Sequence, residues 1–477
     1  MSLKKLAISG MFWTFTQQFG TQLLSFIVSI FLARLLLPAE FGLIGMLAIF
    51  MGIGAALFEG GLTSSLIRSV AITTMDYSTV FIFNFIASIL VYLLIFFAAP
   101  FIAQFYGQPL LVDITRIYAL TFIFSAFGSV QNTILSRDLN FKKQAIVSLP
   151  ALVIGNIAGI IFALKGFGVW SLVYAALLNS FLTSLFLWVS SQWKPKFIFD
   201  KKLFKIHFNY GYKLTLSSIL DIIFTNAYQI IIGRFYSASQ VGYYTRANTL
   251  MMLPVGNISA ALNKVVFPLF SKVQDDVSRF RDLYKQIMQV VLFIVTPIIV
   301  LMGVLSKPII IFLFTEKWLP SVPIFQIICF TGILYPIHLY NLLVLQVKGR
   351  SDLFLKLEII KKILMVVIIT VTFFLGFYAL LWGQLVFSIL ALLINTHYAG
   401  NMLDYKMRHQ LRDIFPIFVY SIIMGVSVYF LNKAVQDYSN FFKLLVCTTS
   451  GLVMYVLIAF LFKSPVLQNI KLILIKK

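Results

Sequence analysis

Charged residues are scarce in this sequence, and acidic residues are the scarcest. Only 11% of the 477 residues are charged, with 16 aspartates and glutamates against 38 lysines and arginines, whereas 60% of the residues are hydrophobic. A soluble domain cannot bury so many apolar runs, each of them long enough to cross a bilayer. The composition therefore excludes an ordinary soluble protein and predicts an all-α, polytopic membrane protein.

Reactive residue types are also sparse. The two cysteines, Cys329 and Cys447, lie in separate apolar segments, which argues against a disulfide framework and favours inert packing residues. No Gly-rich phosphate loop of the P-loop kind is present, so we do not expect ATP hydrolysis by this chain, and we predict no cofactor. The four histidines form no metal-like cluster in the sequence: His207, His338, His397 and His409.

The net charge of +22 would suit a nucleic-acid-binding protein, but its distribution does not. When the apolar runs are counted as spans, most lysines and arginines fall in loops on one side of the membrane. This is the positive-inside pattern, which orients helices because basic loops resist translocation. The charge is thus explained without a nucleic acid partner, and basic loops at the inner leaflet would favour anionic membrane lipids.

Apolar runs of about 20 residues divide the chain into about 14 transmembrane helices. The first run carries glutamines and lacks a small-residue cleavage site, so we expect a retained span rather than a signal peptide. Even span number and the basic loops place both termini in the cytoplasm. The predicted spans cover residues 10–33, 41–63, 80–104, 113–135, 145–163, 168–190, 212–233, 241–263, 286–305, 321–345, 358–375, 378–396, 413–431 and 443–462.

One stretch of the sequence occurs twice, at a separation of 200 residues. The first copy runs from Gly10 to Gly42 and the second from Tyr210 to Gly242, with arginine and glycine in the same register. Polar residues also match at a helical spacing, which places each set on one face of a helix. The matching positions are Gln17, Gln18, Thr21, Ser25 and Ser29 in the first copy, and Ser217, Ser218, Asp221, Thr225 and Gln229 in the second.

This duplication predicts two pseudo-symmetric six-helix lobes in parallel orientation. Residues 1–195 would form the N-lobe with helices 1–6, 196–210 a cytoplasmic amphipathic linker, 211–400 the C-lobe with helices 7–12, and 401–477 the extra helices 13–14. A Gly-Phe turn after the fifth span, at Gly166, and again after the eleventh, at Gly376, supports this division. The loops leave no room for a soluble catalytic domain, so we do not predict an enzyme.

Two acidic residues within spans are candidates for ion coupling. Asp221 lies near mid-depth in the seventh span, where a carboxylate is costly and commonly faces a water-filled cavity. It would bind a proton or Na⁺, or else it is a structural carboxylate paired with Asn226 or Lys213. Glu59, near the inner end of the second span, is a second candidate, although a helix-end carboxylate near Arg68 explains it as well.

Polar residues in the first, seventh and eighth spans are candidates for substrate binding. Arg246, Asn257 and Lys264 lie roughly along one face of the eighth span, and their cations suit a phosphate-bearing substrate. The alternative is that Arg246 and Lys264 extend to the two membrane interfaces. The duplicated polar face would line a cavity, or would provide helix–helix hydrogen bonds. Its substrate-binding candidates are Gln17, Gln18, Thr21, Gln22, Thr225 and Gln229.

The run from Ala33 to Gly42, after a first span that begins Ser9-Gly10-Met11-Phe12-Trp13, resembles the polysaccharide transporter family. These are the Wzx-type O-antigen and capsule flippases, often named lipopolysaccharide biosynthesis proteins. They are relatives of the MATE exporters and the lipid II flippases in the multidrug/oligosaccharidyl-lipid/polysaccharide superfamily. The resemblance covers essentially the whole chain in span count, lobes and loop length.

The resemblance implies a V-shaped pair of six-helix bundles that moves an undecaprenyl-diphosphate-linked oligosaccharide from the cytoplasmic to the outer leaflet of the bacterial plasma (inner) membrane. It also implies a proton or Na⁺ gradient as the driving force, a lipid-linked glycan as partner, and the polysaccharide polymerase and assembly machinery as further partners. The extra helices 13–14 would form a groove for the lipid tail. The alternatives are a cation-coupled MATE-type multidrug exporter and, from another class, a membrane glycosyltransferase or polysaccharide polymerase.

Overall fold

A computed structural model describes residues 3–467, apart from the side chains of residues 3–12, 14–16 and 260–265. The described chain is helical, with one 3₁₀ turn at Glu316–Trp318 and no strand. It divides into two compact units, Met1–Thr245 and Arg246–Lys477. The helices of the first unit are α1 (Leu3–Leu35), α2 (Pro38–Glu59), α3 (Leu62–Arg68), α4 (Thr74–Tyr106), α5 (Leu111–Tyr118), α6 (Leu120–Arg137), α7 (Phe141–Leu164), α8 (Trp170–Ser190), α9 (Lys201–Thr225) and α10 (Ala227–Phe235).

The second unit begins within α11 and runs to the end of the described chain. Its helices are α11 (Ala238–Lys272), α12 (Val277–Val304), α13 (Ser306–Phe314), α14 (Ser321–Val347), α15 (Ser351–Phe373), α16 (Phe377–Met402), α17 (Met407–Ala434) and α18 (Asn440–Leu461). Cys329 and Cys447 are buried free thiols in this unit, as the sequence predicts.

The predicted spans all fall on helices. Within residues 3–467, eleven helical segments are long and apolar enough to cross a membrane, or twelve when α9 and α10, which meet at a bend of 50°, count as one broken span. The remaining two predicted spans coincide with α11 and α15, which carry more polar and charged residues. The all-α, polytopic fold is thus confirmed, and the described helices are consistent with about 14 spans.

The helix that contains the start of the seventh predicted span, α9, begins earlier than that span. Residues 191–200 are extended, and α9 starts at Lys201 because the Asp200 side chain accepts hydrogen bonds from the backbone N–H groups of Lys202 and Leu203. The predicted amphipathic linker, residues 196–210, therefore consists of an extended stretch followed by the first turns of α9. This helix packs on α2, α3 and α4 within the first unit. The predicted lobe boundaries remain a prediction.

Close helix packing forms the core of the first unit. Gly155 and Gly159 of α7 face Ala175 of α8, where an added Cβ would lie about 3 Å from that residue, so α7 and α8 approach closely. Large side chains fill the space between α2, α4 and α6, with Phe58 and Phe122 as buried members. The tight α7–α8 pair also supports α1, which packs mainly on α7.

A buried polar network joins four helices of the second unit. The Tyr284 hydroxyl of α12 donates to Asn341 Oδ1 of α14 at 2.7 Å, and Asn341 Nδ2 donates to Thr396 Oγ1 of α16 at 3.0 Å. Asp413 of α17 accepts from Tyr405 at 2.6 Å and pairs with Lys285 Nζ of α12 at 2.7 Å. These bonds fix α17, the first helix of the predicted extra pair, to the rest of the unit.

Candidate functional site

The duplicated motif forms a reciprocal contact in the first unit. The start of α2 and the start of α11 meet so closely that a Cβ on Gly42 would lie 1.7 Å from the Ala238 carbonyl oxygen, and a Cβ on Gly242 would lie 2.0 Å from the Pro38 carbonyl oxygen. Gly242 lies 200 residues after Gly42, and Pro38 lies 200 residues before Ala238. The two contacts are therefore equivalent, with the two motif copies exchanged. This is the pairing that a pseudo-two-fold axis produces, as the sequence duplication leads us to expect at this contact.

The two copies also begin their second helix in the same way. Glu40 Oε2 accepts a hydrogen bond from the backbone N–H of Leu37 at 2.6 Å, and Gln240 Oε1 accepts from the backbone N–H of Ser237 at 3.2 Å. A side chain at the third helical position thus satisfies the N–H of the capping residue in both copies. Both helix starts are therefore fixed by local sequence.

The side of α9 that carries the predicted polar face is exposed. Ser217, Ser218, Asp221 and Thr225 all lie at the surface of the protein, and only His207 and Gly211 are buried along the helix. Exposed Leu216 and Leu220 lie on a different side of the helix. We call the exposed set Ser217, Ser218, Asp221 and Thr225 the α9 polar face. At membrane depth, such a face suits water rather than hydrocarbon.

The polar residues of α1 serve two different purposes. Gln17 Nε2 donates to Ser148 Oγ of α7 at 3.0 Å, and the Thr21 hydroxyl donates to the backbone carbonyl of Gln17 at 2.8 Å. These contacts are of the helix-stabilising kind. Gln18 is exposed and Gln22 is partly exposed, so both present polar groups at the surface. Because α1 packs mainly on α7 and α9 on α2, α3 and α4, the two polar faces lie on separately supported helices.

Gln229 on α10 contacts the start of α11. Its Nε2 donates to Thr245 Oγ1 at 3.0 Å, and the Thr245 hydroxyl donates to the carbonyl of Val241 at 2.7 Å. This bond joins α10 to α11, the two helices that meet near the end of the second motif copy.

The two acidic candidates are both exposed in the first unit. Asp221 lies on α9, and its suggested partner Asn226 instead donates from Nδ2 to the carbonyl of Ile222 at 2.8 Å. Glu59 ends α2 and, among the described residues, forms no ion pair with Arg68. The Arg68 guanidinium lies over the Tyr210 ring, 4.6 Å from its centroid. Glu59 is therefore not paired with the arginine suggested from the sequence.

The basic candidates belong to α11 in the second unit. Arg246 is half-buried, and Asn257 Nδ2 donates to the carbonyl of Leu253 at 2.8 Å, within the same helix. The side chain of Lys264 lies outside the described residues. The role of these three residues in substrate binding stays a prediction.

Sequence reasoning missed a buried hydrogen-bonded trio in the first unit. Ser65 Oγ of α3 lies 2.8 Å from His207 Nδ1, and His207 Nε2 lies 3.1 Å from Asp76 Oδ1 of α4. The three residues are 4%, 2% and 6% exposed. They are far apart in sequence, so no local pattern reveals them. Within the described residues no group of His, Cys, Asp and Glu is arranged to hold a metal.

Comparison with solved structures defines the class of the fold. The lipid II flippase MurJ in an inward closed conformation aligns over 95% of this chain and 98% of its own, with a TM-score of 0.75 at 17% identity. An inward-facing multidrug resistance MATE family transporter of the MOP superfamily aligns over 80% and 96%, with a TM-score of 0.60 at 20% identity. The protein has the fold of this membrane transporter superfamily.

Sequence comparison gives the family. The profile described as polysaccharide biosynthesis protein matches residues 31–323, and the chain belongs to that family. WzxC, a lipopolysaccharide biosynthesis protein of Escherichia coli K12, is 24% identical over 77% of this chain and 75% of its own. The teichuronic acid biosynthesis protein TuaB of Bacillus subtilis is 28% identical over 64% of this chain, and the match spans 61% of TuaB. The resemblance predicted from the sequence is confirmed.

Proposed function

We propose that this protein moves an undecaprenyl-diphosphate-linked oligosaccharide from the cytoplasmic to the outer leaflet of the bacterial plasma membrane by alternating access. The observation that carries the proposal is the exposed α9 polar face, which includes Asp221, on a helix of the membrane bundle. Polar groups at this depth are costly in lipid. They are useful where a hydrophilic glycan crosses the bilayer while its apolar tail stays in the membrane.

The family supports a substrate of this class. Besides WzxC and TuaB, the succinoglycan biosynthesis transport protein ExoT of Rhizobium meliloti is 26% identical over 68% of this chain and 66% of its own. Each of these relatives is named for a role in the biosynthesis of a polysaccharide. A lipid-linked repeat unit of O-antigen, capsule or exopolysaccharide is the substrate that all three would have in common.

The roles proposed for individual residues follow from charge and depth. Arg246 and Lys264 would meet the diphosphate, because guanidinium and ammonium groups form charge-assisted hydrogen bonds with phosphate oxygens. Gln18, Gln22, Thr225 and the carbonyl of Gln229 would contact sugar. Asp221, and secondarily Glu59, would bind the proton or Na⁺ whose gradient drives the cycle.

The lipid-linked glycan would be handed to the polysaccharide polymerase and assembly machinery on the outer side. Both termini would lie in the cytoplasm, as the basic loops favour. The longest described connection between consecutive helices is residues 191–200. A stretch of this length holds no catalytic domain, which supports a transporter rather than a glycosyltransferase or polymerase.

A cation-coupled multidrug exporter is the second candidate, because the MATE transporter shares the fold at a TM-score of 0.60. The lipid II flippase aligns over more of the chain and so favours a lipid-linked substrate. The two helices after the twelfth predicted span, α17 and α18, would form a groove for a lipid tail, and a small drug has no such tail.

Translocation can be measured with the purified protein in liposomes. A fluorescent undecaprenyl-diphosphate oligosaccharide is incorporated, and its outer-leaflet fraction is followed by a membrane-impermeant quencher, with and without imposed H⁺ and Na⁺ gradients. Gradient-dependent movement would support the proposal and name the ion. Lack of movement with several glycans, together with efflux of small organic cations, would overturn it in favour of the drug exporter.

A further inference from the structure

The helix α9 is most deeply buried near its start, and it also packs on α2 further along, where Ile222 lies against Gly52. Along its length only His207 and Gly211 are buried. At Gly211 the backbones touch, because a Cβ there would lie 2.2 Å from the carbonyl oxygen of Gly60. The remainder of the helix, including the α9 polar face, is largely exposed and ends at the 50° bend before α10. The bonds at His207 therefore lie in the buried part of the packing of α9 on α3 and α4.

His207 lies between a hydroxyl and a carboxylate from two other helices. Its Nδ1 faces Ser65 Oγ at 2.8 Å and its Nε2 faces Asp76 Oδ1 at 3.1 Å. The other carboxylate oxygen of Asp76 accepts from the backbone N–H of Thr73 at 2.8 Å and from its hydroxyl at 2.6 Å. The Asp76 carboxylate is thus fully engaged and oriented, and the imidazole is the member of the trio that can bind a further proton while both of its nitrogens keep a partner.

The charged groups around the trio are mostly basic. From α3, Arg68 lies over Tyr210, and from α6, Arg137 donates to the Tyr77 hydroxyl at 3.0 Å. Lys205 on α9 is exposed, as is Glu59 at the end of α2. Among the described residues, Asp76 is the carboxylate in direct contact with the imidazole. It is therefore the group that makes a positive charge on His207 tolerable in this position.

We propose that Asp76, His207 and Ser65 form a proton-binding site that locks the start of α9 to α3 and α4. With a proton on both ring nitrogens, Nε2–H donates to the Asp76 carboxylate and Nδ1–H donates to the Ser65 oxygen. The contact with Asp76 is then a charge-assisted hydrogen bond within a buried site. The proton comes from the solvent, and no other group changes its charge.

Loss of this proton weakens the lock. The neutral imidazole keeps one N–H for Asp76, and the Ser65 hydroxyl turns to donate to Nδ1. The pairing of opposite charges is gone, and the Asp76 carboxylate is left buried with hydrogen bonds alone, which is a less favourable state for an ion. Deprotonation therefore favours release of α9 from α3 and α4. Because α9 carries Asp221, its release would move the polar face of the proposed transport path.

The inference concerns only the first unit and does not require the substrate to be known. The test uses the full chain in lipid nanodiscs, with Cys329 and Cys447 replaced by alanine and spin labels on cysteines at the exposed positions Ile67 of α3 and Leu216 of α9. Electron paramagnetic resonance gives the distance distribution between the labels from pH 5 to pH 8. We expect the short-distance population to fall by about two-fold or more as the pH rises across this range.

Three variants show whether the trio is responsible. His207→Gln removes the titrating group, and Asp76→Asn keeps the hydrogen-bonding shape but removes the charge, so the distribution should not change with pH in either. His338→Gln is the matched control. His338 is bonded to Ser388 at 3.1 Å and Asn395 at 3.3 Å without a carboxylate, and its loss should leave the pH response as in the parent.

Each result decides for or against the site. A retained pH response in His207→Gln, or a parent distribution that is constant from pH 5 to pH 8, would overturn the proposal. The parent titration needs no change in the trio, so it decides the question even if the His207 and Asp76 variants do not fold. A parent that responds to pH but moves no glycan in liposomes would retain this site and reject the proposed function.

Discussion

Gly42 and Gly242 occupy equivalent positions in two copies of one motif, and each faces the start of the other copy. Gly42 meets the carbonyl oxygen of Ala238, and Gly242 meets the carbonyl oxygen of Pro38. Two contacts that are exchanged in this way when the motif copies are exchanged are the pairing that a pseudo-two-fold axis produces. The glycine in the motif is thus explained by close backbone approach, rather than by a turn.

Replacement of either glycine by alanine should disrupt this contact. A Cβ at residue 42 would lie 1.7 Å from a backbone oxygen, and backbone cannot move aside as a flexible side chain can. We expect Gly42→Ala and Gly242→Ala each to destabilise the protein by about 3 kcal/mol or more, at the upper end of overpacking effects. Thermal unfolding in detergent, followed by tryptophan fluorescence, measures the change.

Gly256→Ala is the control for this prediction. The nearest atom to a Cβ at Gly256 is Cε of Met252, at an ordinary 3.6 Å, and alanine favours helix over glycine by about 1 kcal/mol. This variant should melt at or slightly above the parent temperature. Equal melting temperatures for Gly42→Ala and Gly256→Ala would contradict the close approach.

The sequence predicts much of this fold because membrane helices are encoded locally. Each helix satisfies its own backbone hydrogen bonds and must be apolar over about 20 residues, so the spans can be read from composition. The 200-residue register likewise predicts the duplication of the helix that ends at Leu35 and the one that ends at Phe235. What the register does not reveal is that Gly42 and Gly242 pack on each other's copies, since this depends on where two distant segments meet.

Contacts between distant segments also explain why the trio of Ser65, Asp76 and His207 is not predicted from the sequence. Ser65 and Asp76 lie 142 and 131 residues from His207, and each alone is an unremarkable polar residue in sequence. Hydropathy does not predict that α9 starts at Lys201, because Lys201, Lys202 and Lys205 lower its value there, although Asp200 caps the helix. Hydropathy finds the part of a helix that lies in lipid, but not the turns beyond it.

Asp221 should be required for coupled transport. Asp221→Asn keeps the size of the side chain and removes its charge and its ability to bind a cation or release a proton. We expect gradient-driven translocation to fall to the level of protein-free liposomes, while the variant purifies and melts like the parent. Translocation is measured with the fluorescent glycan under an imposed H⁺ or Na⁺ gradient.

The control for Asp221 is Asp437→Asn. Asp437 is exposed between α17 and α18, outside the helices, so the same chemical change should leave transport intact. Parent-like gradient-driven transport by Asp221→Asn would remove this residue from the coupling mechanism and direct attention to Glu59.

Arg246 should contribute to affinity for a diphosphate. A hydrogen bond to a charged group contributes about 1.5–3 kcal/mol, so Arg246→Gln should weaken binding of the lipid-linked glycan by about ten-fold or more. Arg408, exposed near the start of α17, provides the control Arg408→Gln, which should bind like the parent. Microscale thermophoresis with a short-chain diphosphate glycan compares the three proteins, and equal affinity in all of them would reject the phosphate role.

Asp413 should hold α17 to the second unit. Its carboxylate pairs with Lys285 at 2.7 Å and accepts from Tyr405 at 2.6 Å. Asp413→Asn leaves Lys285 without its counter-ion and weakens one charge-assisted bond, so we expect a loss of about 1–3 kcal/mol in stability. Tyr284→Phe, which removes the 2.7 Å bond to Asn341 but no charge, should cost less, about 1 kcal/mol. Limited proteolysis between α16 and α17 reports detachment of the helix, and cleavage of Asp413→Asn at the parent rate would show that apolar packing alone holds α17 in place.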